Sequence, residues 1–156
     1  MLTLDTSGVI ALASSDDRHH LVATTVSEAD RRPYFVPMGV MAEIAYVLEN
    51  RVGTHAVFEF LGDVRRGSYV LDCGDDDIPR IDTLIRRYAD LRLGFSDAAV
   101  IACAERHGGR VLTLDRRHFP VVARGERTIT ILPEQCGQGL TSKSIAIGCT
   151  TGHDGY

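Results

Sequence analysis

The chain has 156 residues, 44% hydrophobic and 24% charged, the balance of an ordinary globular domain with enough residues to bury a core. A net charge of −4 argues against a uniformly basic nucleic-acid binder. Lys143 is the single lysine against sixteen arginines, so P-loop and Schiff-base chemistry have no residue in the body of the domain.

Residues 2–5 (Leu-Thr-Leu-Asp) read as a short strand running into a Thr-Ser-Gly turn, with helical patterns at 7–13 and 19–31. Tyr34-Phe35-Val36 before Pro37 is a second strand. Helices then span 39–52, ending at Gly53, and 54–66, ending at Gly67. Ser68 to Leu71 is a third strand. Asp77 is placed to cap a helix from Ile78 to Ala89, with Pro79 in its first turn, and Ser96 to cap the next, which ends at Gly108-Gly109. Arg110 to Leu114 forms a strand ending at Asp115, and Thr128 to Leu132 a last one. Alternating strands and helices predict a three-layer α/β/α sandwich on a mostly parallel sheet, in a domain spanning 1–133. The segment 134–156 turns to Gly, Ser, Thr and Gln and reads as a tail of uncertain order.

No apolar stretch approaches the ~20 residues that cross a bilayer, and no signal segment opens the chain, so a cytoplasmic protein without membrane partners is expected. Cys73, Cys103, Cys136 and Cys149 make no C-x-x-C pair, which argues against a disulfide framework or structural zinc.

The chemistry sits in carboxylates. Asp5 and Asp115 each end a strand, where open α/β sheets bind ligands, although either could serve only as a turn or cap residue. Thr113 points to the same side as Asp115, as Thr3 does with Asp5. Glu43 falls at the edge of the apolar stripe Val40, Ile44, Val47 and Leu48; it is either a site residue or an edge carboxylate reaching water. Asp97 opens a helix apolar nearly all round, Ala98 to Ala104, and taken alone would be a helix-start residue. Together, four such acids can converge on one spot, where they repel unless a hard divalent cation lies between them. One or two such ions, two of them ~4 Å apart, would activate water for phosphodiester hydrolysis.

These residues, in this order, resemble the PIN domain, and most closely the VapC toxins of bacterial toxin–antitoxin pairs. The likeness rests on Leu4-Asp5-Thr6-Ser7, Met41-Ala-Glu43-Ile-Ala, Phe95-Ser96-Asp97-Ala98-Ala99, and Val111-Leu-Thr-Leu-Asp115 with Phe119. It covers about 1–133 and leaves the tail unmatched. It implies a Mg²⁺-dependent endoribonuclease, with Mn²⁺ as a possible substitute, that acts as a homodimer on RNA and is neutralised by a VapB-type antitoxin. By the resemblance Asp5, Glu43, Asp97 and Asp115 are catalytic metal-site acids, with Thr113, Thr6 and Ser96 supporting them.

Arg116 and Arg117 follow a candidate ligand and are the arginines best placed in sequence to hold RNA phosphate, against the plain reading of a solvated face. Asp90 is a candidate fifth acid or a helix-end residue. Cys103 and His107, one helical turn apart, lack further ligands for a soft metal, and His19, His20 and the run Asp75-Asp76-Asp77 read as surface groups. A haloacid-dehalogenase-type phosphatase would need an acid at position 7, where Ser7 stands, and a lysine. The alternative to a nuclease is a catalytically weak PIN-like RNA-binding module.

Overall fold

The computed structural model describes residues 1–72 and 74–134. Cys73 and 135–156, which take in all but the first residue of the expected tail with Cys136, Lys143 and Cys149, lie outside the described residues.

The elements follow in the order β1 (Leu2–Leu4), α1 (Thr6–Ala13), α2 (His20–Glu28), β2 (Tyr34–Pro37), α3 (Met41–Arg51), α4 (Thr54–Arg65), β3 (Tyr69–Asp72), α5 (Ile78–Arg87), α6 (Phe95–Arg106), β4 (Arg110–Leu112), α7 (Phe119–Glu126) and β5 (Thr130–Leu132). The five strands form one sheet in the order β3-β2-β1-β4-β5, every pairing parallel, as the alternating pattern requires. Leu2, Thr3 and Leu4 of the central strand are all fully buried. Successive strand side chains point to opposite faces, so both faces of β1 are covered, the condition of a three-layer fold. Helices α1 to α4 pack on one another as one group, and α5 packs on α6 as another. Ala98 to Ala104 of α6 are all buried, their small side chains letting the helix lie close on β1, β2 and β4.

The strands are shorter at their ends than the apolar runs suggest. β1 stops at Leu4 and β4 at Leu112, which leaves Asp5 and Thr113 to Asp115 beyond the ladder, free to serve a site. Ser96 is not the cap of α6. Gly94 takes the extended cap position and Ser96 falls in the first turn, because the helix starts two residues earlier, at Phe95. Helix α7 is unanticipated in the sequence. Its Pro120 sits in the first turn, where the missing N–H costs nothing, and Phe119 and Val122 anchor it in the core.

Two contacts fix the site's frame. At Gly8, in the first turn of α1, an added Cβ would lie 2.6 Å from the Leu112 carbonyl oxygen; only glycine lets α1 start this close to β4. At the other end of α6, Arg106 donates to both carboxylate oxygens of Asp77 at 2.8 Å and to Asp72 at 2.7 Å. Asp77 stands at the cap position of α5 as expected, but its side chain makes this ion pair instead of a cap bond.

Hydrogen bonding from Arg106 holds the Asp72 carboxyl below its ordinary value, with His107 adding to the effect against the opposing cost of burial. A depressed carboxylate contributes stability in full above its unfolded value and loses it as pH falls through the folded one. Arg106→Ala is therefore expected to cost roughly 1–3 kcal/mol of unfolding free energy at neutral pH. In denaturant titrations the gap to wild type should close as pH drops below the ordinary 3.8 of Asp72. A gap that stays constant at acid pH would place the arginine's contribution outside this pair.

Candidate metal centre

The sheet order puts β1 at the centre, with β2 on one side and β4 on the other, so the chain reverses its winding direction between β1 and β4. A crevice opens outside the carboxyl ends of strands at such a point. A cavity of about 450 Å³ lies there, and Asp5, Glu43, Asp97 and Asp115 all line it. Four acids spread over more than a hundred residues are brought to one place by β1, α3, α6 and the segment after β4.

Asp5 is the best-held of them. It caps α1, is only 8% exposed, and its Oδ2 accepts from the Ser7 hydroxyl at 2.6 Å and the Thr113 hydroxyl at 2.8 Å. Both hydroxyls are fixed in turn: the Leu114 N–H donates to Ser7 Oγ at 2.8 Å and the Asp115 N–H to Thr113 Oγ1 at 3.1 Å. The second oxygen, Oδ1, accepts no hydrogen bond among the described residues. One oxygen is thus locked and the other left open. Thr6 makes no comparable contact: its hydroxyl is buried without a partner, and Ser7 does the orienting. Counting two residues on from a cap aspartate, where its side chain meets the helix N-terminus, would have pointed to Ser7.

Asp97 lies in the first turn of α6, partly buried. Burial raises its pKa and the charges of Asp5 and Asp115 raise it further, while His118 and the backbone at Gly94 pull the other way. Asp115 Oδ1 accepts from the Arg117 N–H at 2.6 Å, which fixes the turn after β4. His118 bridges the two acids, its Nδ1 lying 2.9 Å from Asp115 Oδ2 and 3.1 Å from Asp97 Oδ2. One ligand atom from each of these three residues lies within 4.8 Å of the other two. Sequence reasoning missed His118; its signal is the spacing Asp-x-x-His, legible only once α7 is seen to begin at Phe119.

Glu43 stands in the first turn of α3, exposed at the cavity rim, while Ile44 and Leu48 are buried beneath it. Among the supporting candidates, Thr113 touches Asp5 directly and Ser96 makes no side-chain hydrogen bond among the described residues. Arg116 and Arg117 are exposed and do not line the cavity; Arg117 contributes its backbone N–H. Arg18 and Arg51, not singled out in the sequence, line it instead. Asp90 sits in an exposed turn outside the cavity.

A second group of ligand-type side chains, Asp72, Cys103 and His107, meets at the far end of α6. Its valences are already used. His107 Nε2 lies 2.6 Å from Asp72 Oδ2, its ring stacks on Phe35 at 3.6 Å, and burial pushes the Cys103 thiol up to about 12. This group is a neutralised ionic cluster that fastens α6 to β3.

The cavity carries the donor set for a hard cation: converging carboxylates, one with an open oxygen and another made harder to ionise by its neighbours. A divalent ion would relieve that repulsion, so the residues fit one.

A family model described as PIN domain matches residues 2–125. Ribonuclease VapC26 of Mycobacterium tuberculosis is 30% identical over 135 residues, 85% of this chain and 100% of the relative. Among solved structures, M. tuberculosis VapC20, a Sarcin-Ricin loop cleaving toxin, superposes with a TM-score of 0.67 at 19% identity, covering 78% of this chain and 95% of that one, a likeness of fold.

Ser7→Ala removes one of the two hydroxyls that hold Asp5. Calorimetric titration with Mn²⁺ is expected to show affinity about 10–100-fold weaker, the usual effect of deleting a partner that orients a ligand, with the fold intact. Unchanged affinity would show that Asp5 needs no such support.

Proposed function

The chain belongs to the PIN-domain family, and on that footing we propose that it is the ribonuclease toxin of a VapBC-type toxin–antitoxin pair, a Mg²⁺-dependent endonuclease acting in the cytoplasm. No helix among the described residues is long and apolar enough to cross a membrane. The observation that carries the reading is Asp5 at the switch point, one oxygen held by two hydroxyls and the other open toward a cavity shared with Glu43, Asp97 and Asp115. The catalytic domain is 1–133, closed by β5.

Asp5 and Asp97 are the principal ligands, with Asp115 and Glu43 completing the acidic ring. When bound, Mg²⁺, or Mn²⁺ in its place, lowers the pKa of a water and offsets negative charge developing on the phosphate. The protein's own part is to hold these groups still. Ser7 and Thr113 fix the Asp5 carboxylate; the Arg117 N–H and His118 fix Asp115; His118 also steadies Asp97. Glu43, exposed at the rim, accepts a proton from the attacking water and passes it to solvent. A preset arrangement of this kind needs no reorganisation at the moment of reaction.

The RNA lies across the cavity. Tyr46 of α3 and Phe58 and Leu61 of α4 are exposed apolar side chains on the helix that flanks the cavity and on its neighbour. They offer ground for an amphipathic segment of a VapB-type antitoxin, positioned to cover the site. The active form is a homodimer.

Asp97→Asn keeps the size and hydrogen-bonding reach of the side chain but removes a charge. It is expected to lower Mg²⁺-dependent cleavage of single-stranded RNA by roughly 10²-fold or more, as loss of a group stabilising transition-state charge does, without lowering the thermal midpoint. Asp5→Asn should behave alike. Full Mg²⁺-dependent cleavage by either variant would refute the assignment.

A further inference from the structure

We propose that the cavity has a second, cationic end, formed by Arg18 and Arg51, which binds a backbone phosphate of the RNA strand next to the one being cut. This subsite rests on the nuclease reading and names where the strand goes once it leaves the carboxylates.

The argument is one of register. On α3, Glu43, Val47 and Arg51 all line the cavity. They are four residues apart, so they share a face and form a row about 12 Å long at 1.5 Å per residue. The other wall repeats the order. Asp5 caps α1, Ile10 follows near its middle, and Arg18 lies in the turn between α1 and α2; all three line the same cavity. Helices α1 and α3 pack on each other. Two adjacent walls therefore each run from carboxylate through an apolar side chain to arginine. A metal-bound phosphate would occupy the acidic end, a ribose or base the apolar stretch over Ile10 and Val47, and the neighbouring phosphate the arginines.

The arginines are available for this. Neither is ion-paired among the described residues. Arg18 donates through Nε to His19 Nε2 at 3.0 Å, which aims the guanidinium and leaves both terminal nitrogens free. His19 and Asp17 also line the cavity, and one oxygen of Asp17, Oδ1, accepts from the His19 N–H at 2.7 Å. The cations also answer an electrostatic problem. A chain of net charge −4, with five acids lining its cavity, repels RNA, and attraction has to come from charges placed locally.

The test is the salt dependence of binding, measured by fluorescence anisotropy with a labelled single-stranded RNA dodecamer. Each lost phosphate contact reduces the slope of log affinity against log salt by about 0.7 for single strands. Arg18→Gln/Arg51→Gln, which together give up this one phosphate, should reduce it by about 0.7. Arg65→Gln/Arg124→Gln, an equal loss of charge at exposed positions outside the cavity, should leave it unchanged. In cleavage assays the first pair should raise KM with kcat largely retained, and Mn²⁺ affinity by calorimetry should match wild type. An unchanged slope in Arg18→Gln/Arg51→Gln, or an equal reduction in the control pair, overturns the subsite while leaving the nuclease standing. A wild-type protein that shows no metal-dependent cleavage sinks the nuclease reading itself.

Discussion

Negative charge gathered in one place is the constraint on which this molecule turns. Asp5, Glu43, Asp97 and Asp115 share one cavity, and the pKa of Asp97 is raised by burial first and by the charges of Asp5 and Asp115 besides. The frame that brings them together is an all-parallel sheet covered on both faces, a helix start set close against β4 through Gly8, and α6 fastened at its far end by Arg106. A divalent ion held between these acids would relieve their repulsion and could activate water at the same place, so the crowding and the proposed function would share one source.

The fold was largely legible because its signals are periodic. Short runs such as Tyr34 to Val36, set between helical patterns, suit a buried parallel strand, and the four acids stood out by falling at strand ends and helix starts. What escaped was local and depended on geometry. Ser7 was passed over for Thr6 because both can cap a helix, and only the turn decides which hydroxyl faces Asp5. His118 was missed together with α7, since a Phe-Pro start and an internal glycine do not look helical without the core that Phe119 and Val122 enter. Arg116 and Arg117 drew attention by adjacency to Asp115. Adjacency in sequence sends their side chains away from the cavity, while Arg18 and Arg51 reach it from the ends of α1 and α3.

The two ends of α6 show how similar side chains acquire opposite fates. At its start Asp97 meets other acids and few cations, and its charge is held in tension. At its end Asp72 meets Arg106 and His107, and its charge is quenched. A group of ligand-type residues becomes a candidate centre only when its neighbours leave it unsatisfied, which is why one cluster reads as chemistry and the other as fastening.

The central position of β1 has a consequence for how the protein comes into being. This strand opens the domain, yet it is hydrogen-bonded to β4 near the domain's other end, with Leu2 opposite Arg110. On the ribosome, β1 must wait for nearly the whole domain to emerge before its ladder can close, and such distant pairing is slow. Asp5 cannot meet Thr113, Asp97 or Asp115 until then. A chain that stops before β4 therefore lacks both the closed sheet and the gathered acids, so sheet and cavity are completed in one step.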